Sequence, residues 1–160
     1  RLLLDLGITA VFVTHDQEEA FIVGDRVAVM RNGVIVQVDS PQAVYANPTD
    51  RWTAEFVGTT SIVTGQASAG TVLAPFGSVP VAADLTGPVD VVLRPEQLAI
   101  TDGDAATVED VEFFGHDTMV HLEAGGTALR VRAGADAMLT RGARVGVVFV
   151  GDTARAFPVS

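Results

Sequence analysis

The sequence predicts two parts of different fold class, an α/β segment over residues 1–58 and an all-β domain over residues 59–160. In the first part, runs typical of strands alternate with runs typical of helices. In the second part there is no long helical pattern, and short runs rich in β-branched residues are separated by turn residues. The pattern changes across residues 58–61, which we therefore take as the domain boundary.

A helix end and a buried strand are expected at the start of the chain. Leucines in the first six residues have helical spacing, and Gly7 ends that pattern as a C′ residue. The run ITAVFV, residues 8–13, is short and nearly continuous in apolar residues, which is typical of a strand buried on both faces. A helix is predicted next, within DQEEAFIVG.

The chain between residues 25 and 48 predicts a hairpin followed by a short helix. Two β-rich runs flank Asn32-Gly33, the pair favoured where both turn residues need a positive φ. Ser40 then has the place of a helix N-cap, and Pro41 suits the first turn. Pro48 ends this helix because the residue before a proline avoids the helical region.

One more helix leads to the all-β part. Either Thr49 or Asp50 caps it, Trp52 and Phe56 are neighbours four residues apart, and Gly58 ends it. Beyond it, the spacing of the short β-rich runs predicts a small barrel or sandwich.

Composition excludes several classes of protein. The chain has 160 residues, with 10 basic and 20 acidic residues and a net charge of −10, which argues against binding to nucleic acid or to an anionic membrane surface. There is no Cys, so disulfides and thiolate metal sites are excluded. All basic residues are Arg, since the sequence contains no Lys. No apolar run reaches the roughly 18 residues of a membrane-spanning helix.

His15 stands where the predicted strand becomes a helix. Thr14 and Gln17 have the spacing of a capping box, and Asp16 with Glu19 has the same spacing two residues later. Anions are favoured at a helix start, so an imidazole N–H there could contact a phosphate oxygen. From spacing alone, a His that only caps or packs at the strand end is the more common case.

The segment from Val11 to Pro48 resembles the switch-histidine segment of ABC-transporter ATPase subunits, in particular importer subunits with a regulatory C-terminal extension. The matching positions are Thr14-His15-Asp16-Gln17, Glu19-Ala20, Asp25-Arg26-Val27, Gly33, Gln37, Pro41, Tyr45 and Pro48. The resemblance implies that residues 1–58 are the C-terminal end of a P-loop nucleotide-binding domain, an α/β remnant of its core. It also implies a catalytic role for His15, the switch histidine that contacts the γ-phosphate of ATP.

The parts of such an ATPase that hold ATP and Mg²⁺ are expected before residue 1. A P-loop of the pattern G-x-x-x-x-G-K-[ST] requires Lys, and the sequence has none. The full-length parent is thus expected to be an ATPase that uses ATP and Mg²⁺, whereas this fragment is expected to be inactive and to hold no cofactor. Without neighbouring strands, residues 1–25 are expected to be rearranged, swapped or poorly ordered.

Residues 59–160 resemble the TOBE domain of these subunits, an OB-like barrel. The carrier of the resemblance is the R-P-E motif, Arg94-Pro95-Glu96, together with a bend expected at Gly115. We expect a structural role for the motif, in which Arg94 pairs with a nearby carboxylate. No metal site is predicted: His116, Asp117 and His121 cannot all share one strand face.

The resemblance implies a regulatory and dimerisation region that forms a homodimer. Transmembrane permease subunits would be its other partners, at the cytoplasmic face of the plasma membrane, without insertion of the chain itself. The stretches APFGSVPV and FFGHDTMVHLEAGGTALRVRA resemble ferric-iron importers slightly more than polyamine or maltose importers. One alternative is a β domain that senses a small ligand, either an oxyanion or the substrate; Arg130 and Arg132 share a strand face, but acidic residues are plentiful as partners for them. The other is a free β-barrel interaction module.

Overall fold

Residues 9–58 form three short helices and one hairpin. The computed structural model describes residues 9–159. Its helices are α1 (Gln17–Val23), α2 (Pro41–Ala46) and α3 (Arg51–Phe56), and the hairpin strands are β1 (Val27–Arg31) and β2 (Val34–Asp39). The sheet described in this part is two-stranded and antiparallel, so the expected parallel sheet of a P-loop α/β core is not seen in residues 9–58.

The predicted strand at residues 8–13 is wrong over its described part. Residues 9–13 have no regular structure, and the side chains of Val11 and Val13 are 91% and 89% exposed. A strand buried on both faces needs a neighbour on each side, and no described strand pairs with this segment. The predicted helix end at residues 2–7 lies outside the described residues, so the expectation for residues 1–25 as a whole stays a prediction.

Local signals placed the hairpin and the helix caps correctly. Asn32 and Gly33 have φ values of 51° and 78°, as a two-residue hairpin turn requires. The Ser40 hydroxyl accepts a hydrogen bond from the Ala43 N–H at 3.3 Å and caps α2. Of the two predicted caps for α3, Asp50 is the one used, and its carboxylate accepts from the Thr53 N–H at 2.6 Å.

Helix α1 begins two residues later than the Thr14 capping box places it. Its N-cap is Asp16, whose carboxylate accepts from the Glu19 N–H at 3.0 Å. Thr14 instead donates its hydroxyl proton to the Glu19 carboxylate at 2.8 Å and accepts from the Asp16 N–H at 3.0 Å. The second of the two predicted patterns, Asp16 with Glu19, is therefore the one that forms the cap.

The hairpin, α2 and α3 share a small apolar core. Its fully buried members are Val29, Val44 and Val57, against which Phe21, Val27, Val36, Tyr45 and Trp52 pack. Gln37 also binds the loop between the two helices: its amide donates to the Asn47 carbonyl and accepts from the Thr49 N–H, both at 3.0 Å.

Residues 61–158 form the predicted all-β domain, with two antiparallel sheets. The strands are β3 (Ser61–Ser68), β4 (Thr71–Ala74), β5 (Gly77–Pro80), β6 (Gly87–Leu93), β7 (Leu98–Phe113), β8 (Asp117–Ala124), β9 (Thr127–Gly134), β10 (Arg144–Phe149) and β11 (Arg155–Pro158). One sheet has the order β10-β7-β8-β9 and the other β11-β6-β3-β4-β5. A 3₁₀ turn, Pro95–Gln97, joins β6 to β7.

Valines and leucines from both sheets fill one continuous core. Its buried members include Val63, Val91, Leu93, Leu122 and Val131. This arrangement agrees with a small OB-like barrel or sandwich: β8 buries alternate residues, whereas β6 is buried along most of its length. Gly115 has a φ of 87° in the turn between β7 and β8, which confirms the expected bend there. Within residues 9–159, no helix is long and apolar enough to cross a membrane.

Candidate functional site

The R-P-E motif lies at the contact between the helices and the β domain. Arg94 directly follows β6, and only 6% of it is exposed. One terminal nitrogen donates to the carbonyl oxygens of Ala54 at 3.0 Å, Gly58 at 3.0 Å and Thr59 at 3.3 Å. The other donates to the Tyr45 carbonyl at 3.2 Å.

These contacts explain why a guanidinium is buried here. The Tyr45 and Ala54 carbonyls belong to the last turns of α2 and α3, where backbone carbonyls lack partners within the helix. A cation at the C-terminal ends of two helices also interacts favourably with both helix dipoles. Burial lowers the pKa of Arg94, and Tyr45 and Glu96 oppose that shift. A guanidinium stays charged throughout the ordinary pH range.

The predicted carboxylate partner of Arg94 is not what the structure shows. All four hydrogen bonds of its guanidinium go to backbone carbonyls, so that prediction is wrong in its detail. The structural role itself is supported, because the planar fork of donors reaches several carbonyls at once.

Tyr45 completes the contact from the helical side. The Arg94 guanidinium lies over its ring, 4.1 Å from the centroid, and its hydroxyl donates to the Glu96 carboxylate at 2.8 Å. Burial first, and then the hydrogen bond and charge of Glu96, raise the pKa of Tyr45 to about 12. Arg94, Tyr45 and Glu96 each have a charged or polar group, and each forms a hydrogen bond with another residue of the three.

A second polar contact fastens the start of α3 to the β domain. Asp90, in β6, accepts hydrogen bonds from Arg51 and, at 2.6 Å, from the Thr64 hydroxyl. Asp90 is only 7% exposed. Burial alone would raise its pKa, but the hydrogen bonds from Thr64 and Arg51 outweigh burial and hold the pKa below its usual value.

Residues 58–61, which join the helical part to the β domain, form hydrogen bonds at each position. Arg94 binds the carbonyls of Gly58 and Thr59, as described above. The Arg130 guanidinium donates to the next carbonyl, that of Thr60, at 3.1 Å. The Arg130 N–H donates to the Ser61 hydroxyl at 2.8 Å. Four consecutive residues at the predicted boundary are therefore held by two arginines of the β domain.

His15 is exposed and lies one residue before the N-cap of α1. Among the described residues, no hydrogen bond or ion pair joins His15 to His116, His121, Arg130 or Arg132. Its link to the rest of the chain runs through α1, whose Phe21 packs edge-on against Tyr45 with ring centroids 6.4 Å apart.

An open cleft of about 650 Å³ lies between α1 and the β domain. Its lining includes Phe21, Glu18 and Glu96, and also Arg130 and Arg132, the two arginines predicted to share a strand face. Arg132 is paired with the Asp117 carboxylate at 3.0 Å. The cleft thus offers carboxylates and guanidinium groups together rather than a purely basic surface.

The histidines of β8 and the turn before it are not assembled into a metal site. The His116 imidazole is 3.6 Å from the Asp117 carboxylate, and the His121 imidazole is 3.5 Å from the Glu112 carboxylate. Among residues 9–159, no group of three or more His, Cys, Asp or Glu side chains could hold a metal ion.

Sequence reasoning missed the roles of Asp90 and Tyr45. Asp90 carries a usable signal, because it is the one charge within the apolar strand GPVDVVL, and a buried acid requires a partner. Tyr45 carries no comparable signal, since a single half-buried aromatic residue in a helix usually only packs.

Comparison with known proteins agrees with both halves of the resemblance. The TOBE domain family matches residues 91–157. The spermidine/putrescine import ATP-binding protein PotA of Mesorhizobium japonicum is 39% identical over 97% of this chain and 48% of its own length. The Fe(3+) ions import ATP-binding protein FbpC 1 of Rhodococcus jostii is 36% identical over 98% of this chain and 48% of its own length. The Fe(3+) ions import ATP-binding protein FbpC of Pseudomonas fluorescens is 38% identical over 79% of this chain and 38% of its own length.

These relatives define the chain's place in a family. The chain spans about half the length of the curated relatives that it matches. Their similarity extends over nearly all of the chain, so it includes the switch-histidine segment as well as the TOBE domain. The chain is therefore homologous to the C-terminal part of the ATP-binding subunit of an ABC importer, and it carries a TOBE domain at residues 91–157.

Proposed function

We propose that this chain is the C-terminal regulatory and dimerisation region of the ATPase subunit of an ABC importer, which couples ATP hydrolysis to substrate uptake. The observation that carries the proposal is the identity of 39% and 36%, over 97% and 98% of the chain, to subunits named for import. In this proposal, residues 1–58 complete the nucleotide-binding domain and residues 59–160 form the regulatory domain.

Exposed apolar side chains support an ATPase core around the first part. Val11, Phe12, Ile22, Met30 and Val34 are each at least 55% exposed. Exposed apolar residues so numerous on one short segment mark a surface that another part of a protein covers. We assign that covering role to the remainder of the nucleotide-binding domain in the whole subunit.

His15 is proposed as the catalytic switch histidine of the whole subunit. It stands in the Thr-His-Asp-Gln motif, exposed and next to the N-cap of α1, where its imidazole is free to meet a γ-phosphate oxygen. Replacing His15 with Ala in the full-length subunit should lower kcat by about 10²–10³ while ATP binding persists. Unchanged hydrolysis in that variant would contradict the assignment.

The residues present do not fit a complete site for ATP and Mg²⁺. A P-loop cradle needs a Lys, and the sequence has only Arg among its basic residues. We therefore derive no hydrolytic step for this chain and propose that it is inactive alone. Calorimetric titration with Mg-ATP should show no binding to this chain, and clear binding here would refute that part of the proposal.

The proposed partners are a second copy of the subunit and transmembrane permease subunits at the cytoplasmic face of the plasma membrane. Light scattering on this chain should show a dimer, made through the β domain. A variant with Val11→Ser, Phe12→Ser and Val13→Ser removes the exposed apolar segment without touching the β domain. A dimer in both chains supports the proposal, whereas association lost in the variant would trace the dimer to the apolar segment.

The proposed cargo is ferric iron, with spermidine or putrescine as the competing choice. Relatives named for each match this chain to a similar degree, and the stretches around Phe76 and Phe114 resemble the ferric-iron type. Uptake of labelled iron and of labelled putrescine, compared in cells with and without the gene, distinguishes the two. Loss of putrescine uptake alone would reverse the choice.

A ligand-sensing role for the β domain is the second candidate. The cleft beside α1, with Arg130 and Arg132 in its lining, is the place that a small oxyanion or the substrate would occupy. Titration with molybdate and with putrescine, repeated in an Arg130→Gln variant, tests it. Absence of binding by both compounds would remove this candidate.

A further inference from the structure

Tyr45, in α2, contacts α1 through Phe21, the end of β6 through Arg94 and the 3₁₀ turn through Glu96. We infer that Tyr45 is a positioning residue that holds α1, and with it the segment of His15, to the β domain through Arg94. The importance of this link for a reaction rests on the proposed function, but the link itself does not.

The β-domain end of the link is fixed. Arg94 follows the consecutive buried residues Val91, Val92 and Leu93, which are 3% exposed or less. Its backbone N–H donates to the Gln97 side chain at 2.9 Å, which holds the start of the 3₁₀ turn. A guanidinium anchored in this way, with its donors shared among four carbonyls, cannot move without breaking several hydrogen bonds at once.

The middle of the link is Tyr45, which uses three different groups. Its carbonyl accepts from Arg94, its ring lies under the guanidinium, and its hydroxyl donates to Glu96. The same ring receives the edge of Phe21, with an interplanar angle of 89°. Tyr45 is therefore in contact with the 3₁₀ turn on one side and with α1 on the other.

The α1 end of the link has little else to hold it. The helix has seven residues and none of them is buried. Ile22 and Val23 are 83% and 61% exposed, so Phe21 is the residue of α1 that packs on the small core. A helix of this length does not persist by itself in water, so its order depends on that contact.

Residues 58–60, which connect the helical part to the β domain, are also held so that movement of the β domain displaces the helices. Arg94 and Arg130 bind the carbonyls of Gly58, Thr59 and Thr60 in succession, so residues 58–60 do not form a free hinge. Movement of the β domain therefore carries α2 and Tyr45 with it. In the proposed ATPase, the regulatory domain would act on the switch histidine by this route.

Backbone NMR relaxation on this chain tests the inference without ATP. The amides of Ala20 and Gly24 report on α1, and that of Val91 reports on the β core. Replacing Tyr45 with Leu should reduce the order parameters of Ala20 and Gly24 from about 0.85 to below about 0.6 and leave Val91 unchanged. Tyr45→Phe keeps the ring and should leave all three amides unchanged, which separates positioning from the hydroxyl's hydrogen bond.

A double-variant comparison identifies Arg94 as part of the same link. Arg94→Met should loosen Ala20 when Tyr45 is present but add nothing in the Tyr45→Leu background, whereas the matched surface change Arg155→Met should do nothing in either. If Tyr45→Leu leaves α1 ordered, or loosens Val91 equally, the inference is overturned. Such a result leaves the proposed function standing, because that is tested by ATP binding, hydrolysis and light scattering.

Discussion

Replacing Asp90 with Asn tests the polar contact that joins α3 to the β domain. The change preserves size and leaves an oxygen to accept from the Thr64 hydroxyl, but it removes the charge that pairs with Arg51. A hydrogen bond between charged groups contributes about 1.5–3 kcal/mol to stability. The Arg51 side chain is 46% exposed, so solvent reduces that figure and we expect a loss of about 1–2 kcal/mol.

The chain supplies a matched control on the same arginine. Arg51 also contacts Glu55, one helical turn later, at 3.1 Å, and both side chains are well exposed. Glu55→Gln should cost only about 0.3–0.5 kcal/mol, the usual contribution of such a surface pair. Urea unfolding followed by the fluorescence of Trp52, the only Trp in the sequence, measures both variants.

The pH dependence of the free energy of unfolding is a second test of the contact between Asp90 and Arg51. Because the pKa of Asp90 is lower in the folded chain than in the unfolded one, its stabilising effect is complete above about pH 4. It is lost as the pH falls through the lower folded pKa, so the difference between the original chain and Asp90→Asn should vanish there. Equal costs for Asp90→Asn and Glu55→Gln, or a difference that persists in acid, would refute this reasoning.

Three further predictions concern the contact at Tyr45 and the core. Tyr45 is the only Tyr in the sequence, so tyrosinate absorbance should give its pKa as about 12. Because folding raises this pKa above its usual value of about 10, the free energy of unfolding should fall as the pH rises from about 10 towards 12. The fall should be smaller in Tyr45→Phe, which has no phenol to ionise. Gly58→Ala should destabilise by about 1–3 kcal/mol in urea unfolding, since the new Cβ would lie 2.8 Å from the Tyr45 ring. Leu122→Ala should cost about 2–5 kcal/mol in the same assay, because Leu122 is 2% exposed in the core.

The features that sequence predicted correctly are those determined by neighbouring residues. Asn32-Gly33 sets the hairpin turn by its own backbone preference, and Ser40 and Asp50 cap helices whose N–H groups lie three residues away. The short β-rich runs of residues 59–160, separated by turn residues, likewise predicted an all-β domain. Each of these signals is complete within a few residues, so no knowledge of the tertiary structure is needed to read it.

The features that sequence missed depend on partners far away in the chain. Arg94 binds the carbonyl of Ala54, 40 residues earlier, and every residue offers a carbonyl, so the acceptors leave no trace in the side-chain pattern. The strand predicted at residues 8–13 fails for a related reason. An apolar run indicates that a segment can be buried, but burial as a strand also requires neighbouring strands, and no strand within residues 9–159 pairs with residues 9–13.

The sequence pattern changes at residues 58–61, but this change does not mean that the two parts move independently. The pattern marks where helices give way to strands, and the boundary drawn there stays a prediction. The polar contacts cross that boundary: Arg51 reaches Asp90, Tyr45 reaches Glu96, and Arg94 reaches back to two helices. A regulatory domain joined to its neighbour by a free linker could change position without affecting it. One joined by buried charged groups must move α2 and α3 whenever it moves itself.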